Sequence, residues 1–124
     1  MFRPRNTLKL AIVLFTITVS SAFATDVELP NGMDWNRATE QERLAYITGF
    51  SNALSLGYVS DEKHLPGNKE TFSHRAVAGL FGTSVEQGVA IIDSWYRAHP
   101  KEFNTPVLEV LWEQAGKPRL EKSK

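Results

Sequence analysis

TSVEQGVAIIDSWYRAHP, residues 83–100, carries a complete helix from its start to its stop. Thr83 and Glu86 stand three apart, as a capping box requires: the hydroxyl accepts from the N3 amide and the carboxylate reaches back to the cap amide. Ser84 and Gln87 offer the same device one residue later. Val85, Val89, Ile92 and Tyr96 recur at three- and four-residue spacing, and Gly88, Ile91 and Trp95 form the adjoining stripe. An apolar arc this wide belongs to a core helix. Pro100 disfavours helix at His99 and ends the element.

Upstream, Thr39 and Glu42 form another capping box, followed by Leu44, Ile47, Ser51, Leu54 and Tyr58 on one stripe. Tyr46, Phe50, Ala53 and Gly57 line the next. Gly49 suggests a close helix contact, and Gly57 reads as the stop. Residues 60–69 (SDEKHLPGNK) are polar and contain Pro66-Gly67, a turn signal, so they read as the longest exposed loop. A helix is expected from about Glu70 to Phe81, with Phe72, Val77, Leu80 and Phe81 inward and Gly82 beyond its end. Downstream, Thr105 reads as a cap with Pro106 at N1. Val107, Leu108, Leu111, Trp112 and Ala115 follow as the inward face, and Gly116-Lys117-Pro118 as the stop. Residues 117–124 read as a frayed tail. Residues 25–36 read as an irregular leader with a turn at Asn31-Gly32, from which Met33 and Trp35 fold back on the core. Nothing alternates with strand periodicity. The expected fold is all-α, a compact bundle of about four helices.

The chain has 124 residues, 14 Lys and Arg, 14 Asp and Glu, three His and no Cys. Its zero net charge hides two parts. Residues 1–24 hold Arg3, Arg5 and Lys9 and no acid, while residues 25–124 carry a net charge of −3. An acidic domain lacks the electrostatic footprint of a nucleic-acid binder. The first part reads as a Sec-type signal peptide: a basic start, ten apolar residues (LAIVLFTITV, 10–19) and Ala22-x-Ala24 as the cleavage site. An uncleaved anchor is the alternative, but a spanning helix needs about 20 apolar residues. The expected product is a periplasmic domain of residues 25–124, with no membrane attachment after cleavage.

No constellation for chemistry stands out. Without Cys there is no disulfide frame, thiolate metal site or thiol nucleophile. His64, His74 and His99 show no metal-ligand spacing. The acidic pairs Glu40/Glu42, Asp61/Glu62 and Glu109/Glu113 fall at a helix start, in the polar segment and on a helix face, settings that do not raise a carboxyl pKa. No catalytic, cofactor-binding or metal-binding residue is therefore expected. Two features suggest a protein partner instead. Asp61, Glu62, Lys63 and His64 lie on the polar segment stiffened by Pro66, and loops on rigid scaffolds commonly carry recognition. Trp95 and Tyr96 are adjacent, so both cannot point at one core centre.

Asp34-Trp35, Tyr46-Ile47-Thr48-Gly49-Phe50 and Leu54, followed by Thr83-x-x-x-Gln87, Ile92-x-x-Trp95-Tyr96-x-x-His99-Pro100, Pro106-Val107 and Val110-Leu111, resemble the small exported Rap/Tai-type immunity proteins. The resemblance runs from Asp34 to Ala115. It implies an all-α, often homodimeric periplasmic protein that blocks peptidoglycan amidase effectors delivered by type VI secretion. The cysteines that form the family's disulfide are missing here. The expected function is accordingly a non-enzymatic binding protein, with an immunity protein as its specific form. A small stress or chaperone-like helical protein of HdeA type is the alternative, and a peptidoglycan-acting enzyme comes third.

Overall fold

The computed structural model describes residues 27–123. The export signal expected over residues 1–24 lies outside them. Helix α1 spans Gly32–Arg37, α2 Glu40–His64, α3 Phe72–Leu80 and α4 Val85–Ala98. Helix α5, Val107–Leu111, runs on through a π turn, Trp112–Gly116, into α6, Lys117–Lys122. The backbone stays right-handed helical at both joins, so these three pieces form one rod. The fold is all-α, and no described helix is long and apolar enough to cross a membrane.

Local chemistry accounts for the starts. Thr39 and Glu42 form the expected box. For α4 the later register holds: Ser84 Oγ accepts from the Gln87 amide at 3.1 Å, and Gln87 Oε1 accepts from the Ser84 amide at 2.8 Å. Asn31 is not a turn residue. Its side chain caps α1 in a box with Asp34, so the end of the expected irregular leader, residues 32–36, is helical, while residues 27–30 are irregular as expected. Trp35 is buried as expected, but Met33 is half exposed. Pro106, not Thr105, is the residue before α5. The Val107 amide donates to Pro30 O at 2.9 Å and the Gly32 amide to Phe103 O at 2.8 Å, which ties α1 to the start of α5.

Two expected stops do not occur. Helix α2 passes Gly57 because α3 crosses it there: a Cβ at Gly57 would run into the side chain of Ser73. It continues to His64, so the loop expected over residues 60–69 shrinks to the residues after that helix. Gly116-Lys117-Pro118 does not break the last helix. Pro118 has no amide to give to an α-helical ladder, and the π turn absorbs the misfit, with the Lys117 amide donating to Trp112 O, five residues back. The tail is therefore helical to Lys122 rather than frayed.

The core gathers Trp35, Ile47, Val89, Ile92, Tyr96, Val107, Val110 and Leu111. Tyr96 donates its hydroxyl to Thr105 O at 2.6 Å. Burial pushes its phenol pKa up to about 12, helped by Glu109, Tyr46 and Asp34. The unfolded chain releases that proton near pH 10. The contribution is therefore complete below about pH 10 and is lost as pH rises towards about 12, where the unfolded state binds fewer protons. Urea midpoints measured from neutral to strongly alkaline pH should fall more steeply in wild type than in Tyr96→Phe. Parallel curves would contradict this assignment.

Helix α3 meets the rod at two glycines. A Cβ on Gly79 would lie 2.7 Å from Gly116 O and 3.0 Å from the Gly116 carbonyl carbon. Gly49 carries no such contact, contrary to the expectation: a Cβ there meets nothing within 4 Å. The same substitution should thus have opposite signs. Gly79→Ala forces backbone apart and should cost about 1–3 kcal/mol. Gly49→Ala should stabilise by up to about 1 kcal/mol through helix propensity. Urea denaturation of both variants checks the pair, and stabilisation by both would contradict the close crossing.

Candidate functional site

The close approach of α3 decides what its other residues do. Ala76, Gly79 and His74 face inward, because only small or hydrogen-bonded groups fit where the backbones nearly touch. Leu80 still packs against the core, but the two phenylalanines lie outward. Phe72 is 68% exposed and Phe81 78% exposed, contrary to their expected inward placement. Phe81 caps α3 with φ −55° and ψ 129°, which takes it off the helical path, and Gly82 (φ 80°) turns the chain towards α4.

Phe81 borders an open groove of about 870 Å³ between the end of α2, helix α3 and the π turn with α6. Tyr58, Phe81 and Trp112 supply aromatic surface. Phe72 adjoins through a hollow of about 310 Å³ shared with Glu70, Arg75 and Trp112. Lys69, Arg75 and Lys117 alternate with Glu70, Glu113 and Glu121 around the groove, so neither sign dominates. Lys117 pairs with Glu113 at 3.0 Å, and that hydrogen bond raises the ammonium pKa above its ordinary value. Among the described residues Lys69, Arg75, Glu70 and Glu121 form no ion pair.

His74 lies in the floor, 7% exposed. A carboxylate only accepts, so His74 Nε2–H donates to Glu62 Oε1 at 2.6 Å. In the neutral ring Nδ1 then accepts from the Thr71 hydroxyl at 2.9 Å, while Thr71 Oγ1 itself accepts from the His74 amide as the cap of α3. Tyr58 packs on the imidazole with centroids 4.4 Å apart. Asp61 Oδ2 stands 3.8 Å from Nδ1.

The expected partner residues are therefore split. Asp61 and Glu62 belong to the last turn of α2 and hold His74 from behind. Lys63 and His64 are exposed on that turn, and His64 Nδ1–H donates to Ser60 O at 2.9 Å. No protruding loop carries these four residues. Tyr96 is in the core. Trp95 is partly buried and stacked on His99 at 4.3 Å, with His99 Nδ1–H donating to Trp95 O. This pair lies at the far end of α4 from the α3–α4 turn, and the structure does not bring it to the groove. Among the described residues no group of three His, Cys, Asp or Glu is placed to hold a metal ion.

Of the groove residues, Phe72, Phe81 and Trp112 are expected from the sequence in the core, and nothing in the sequence marks Arg75. One signal was available. Ser73, Ala76 and Gly79 recur every third residue, a run of small side chains that marks where a neighbouring helix approaches and bulkier residues must turn away. Comparison with protein-family models, with curated proteins and with solved structures finds no match for this chain.

Proposed function

We propose that the mature chain is an exported, non-enzymatic binding protein that docks a partner protein on the groove bordered by Phe81 and the adjoining hollow at Phe72. The single observation that carries this reading is the set of aromatic side chains left exposed around a charge-balanced concavity. Tyr, Trp, Phe and Arg are the residues enriched at protein interfaces and at their energetic centres. An equal mix of acids and bases suits a protein surface and not a polyanion. The resemblance to Rap/Tai-type immunity proteins supplies the partner class: a peptidoglycan amidase effector delivered by type VI secretion.

The HdeA-type alternative needs acid to uncover its apolar surface, whereas Phe72 and Phe81 are already exposed in the fold. An enzyme reading has one observation behind it, the Thr71–His74–Glu62 chain, which has the connectivity of a hydroxyl, base and carboxylate relay. Against it, the Thr71 oxygen is engaged as the helix cap.

The test uses residues 25–124 and peptidoglycan amidase effectors of the type VI class. The domain should inhibit muropeptide cleavage, and the Phe72→Ala, Phe81→Ala double variant should weaken inhibition at least tenfold, about 1.4 kcal/mol, without changing the melting temperature. No inhibition, or inhibition indifferent to the double variant, would overturn the reading. Cell-wall cleavage by the domain alone, lost in His74→Ala, would favour the enzyme.

A further inference from the structure

We propose that a second, smaller cavity beside Phe81 receives one uncharged, ring-sized apolar side chain of the docked partner, an inference that rests on the protein-docking reading above. The cavity lies between α2, the α3–α4 turn and α5 and has a volume of about 170 Å³. Its walls are Ile47, Phe50 and Leu54 from α2, Leu80 from α3, Val85 from α4 and Leu111 from α5. No charged side chain lines it.

Size and lining define the occupant. An enclosed apolar cavity near 150 Å³ takes a benzene-sized group; this one, of similar volume but open to solvent on one side, has room for a single aromatic side chain up to the size of an indole. A charged head inside it would lose its hydration with nothing to replace it. The polar part of the lining is hydroxyl only: Ser51, Ser55, Thr83 and Ser84. Ser55 Oγ is engaged with Ser51 O, and Ser84 Oγ with the Gln87 amide. The Ser51 and Thr83 hydroxyls suit the polar edge of a Trp or Tyr ring, whose N–H or O–H needs a partner when the rest is buried.

Position argues for a partner's side chain rather than a free molecule. Phe81 and Val77 line both this cavity and the large groove, so the two concavities meet across the end of α3. A protein seated in the groove reaches the cavity by passing over Phe81. Aromatic anchors in desolvated pockets, ringed by weaker contacts, carry most of the affinity of protein interfaces.

Indole, the Trp side-chain ring, is the probe. Titrated into isotope-labelled residues 25–124, it should produce saturable amide shifts at Gly88, Ser55 and Val85. Ser51→Phe places a ring at the exposed side of the cavity and should abolish them. Gly88→Ala keeps the test open should that variant fold poorly. Its methyl would meet Leu111 Cδ1 at 3.5 Å and Ile47 Cγ2 at 3.6 Å, ordinary contacts, and should weaken indole binding at least threefold in a helix that remains intact. Absence of saturable shifts, or shifts unchanged in both variants, would overturn the cavity as a site. With an effector bound by wild type, Ser51→Phe should weaken that binding at least tenfold and indole should compete. Unchanged effector binding with intact indole binding would overturn the partner side chain as occupant and leave a free ring-sized molecule. A wild-type domain that binds no effector would sink the docking reading and, with indole bound, give that same outcome.

Discussion

Trp35→Ala should lower the stability of the mature domain by about 3–5 kcal/mol, the range for truncating a buried large aromatic. Trp35 is 3% exposed and is the residue that anchors α1 in the core. Its indole N–H donates to Asp93 Oδ1 at 2.7 Å, and the Arg43 guanidinium reaches the same oxygen at 3.1 Å. Arg43 Nε also donates to Trp35 O at 2.9 Å, and its guanidinium stands 5.4 Å from the indole centroid. One side chain thus joins α1, α2 and α4. Trp35→Phe separates packing from polarity: it keeps most of the buried area and loses one hydrogen bond, about 1 kcal/mol. Asp93 retains Arg43 in that variant. Native stabilities are only about 5–15 kcal/mol, so Trp35→Ala should shift a urea midpoint strongly. A loss under about 1 kcal/mol would mean that α1 is not part of the cooperative core.

Ile92→Ala should cost about 2–5 kcal/mol. Ile92 is fully enclosed near the middle of α4, with Val89 and Tyr96 on the same buried face. The surroundings are helices fixed at both ends, which limits their collapse into the space. Glu109→Ala, on an exposed position of α5, should change stability by less than about 0.5 kcal/mol. Denaturant unfolding of the two variants compares them, and equal losses would mean that the buried face of the bundle is wrongly assigned.

The parts of the fold that local chemistry dictates were legible in the sequence. The box at Thr39 and Glu42, the stripe from Val85 to Tyr96 and the stop before Pro100 depend on residues within a few positions of one another. What long-range contacts decide was not legible. Gly57 resembles a stop until Ser73 is placed beside it. The polar run SDEKH shows no apolar period, yet it stays helical where Asp61 and Glu62 meet His74 from the next helix. Pro118 reads as a breaker because a π turn leaves no mark in hydrophobic spacing. The candidate site was misread for the same reason. Phe72 and Phe81 count as core residues in any hydrophobic pattern. They become surface where Gly79 lies against Gly116 on the inward side of α3 and where the chain leaves the helical path at Phe81.

We propose the aromatic groove around α3 as the surface on which a protein partner docks. Amide hydrogen exchange of residues 25–124, free and bound to the amidase effector, tests it most directly. Exchange should slow on binding across Phe72–Leu80, the π turn Trp112–Gly116 and Lys117–Lys122, with residues 95–99 and the first turn of α2 (residues 40–43) unchanged. Protection confined to the Trp95–His99 end of α4, with α3 and the π turn exchanging as in the free domain, would contradict it.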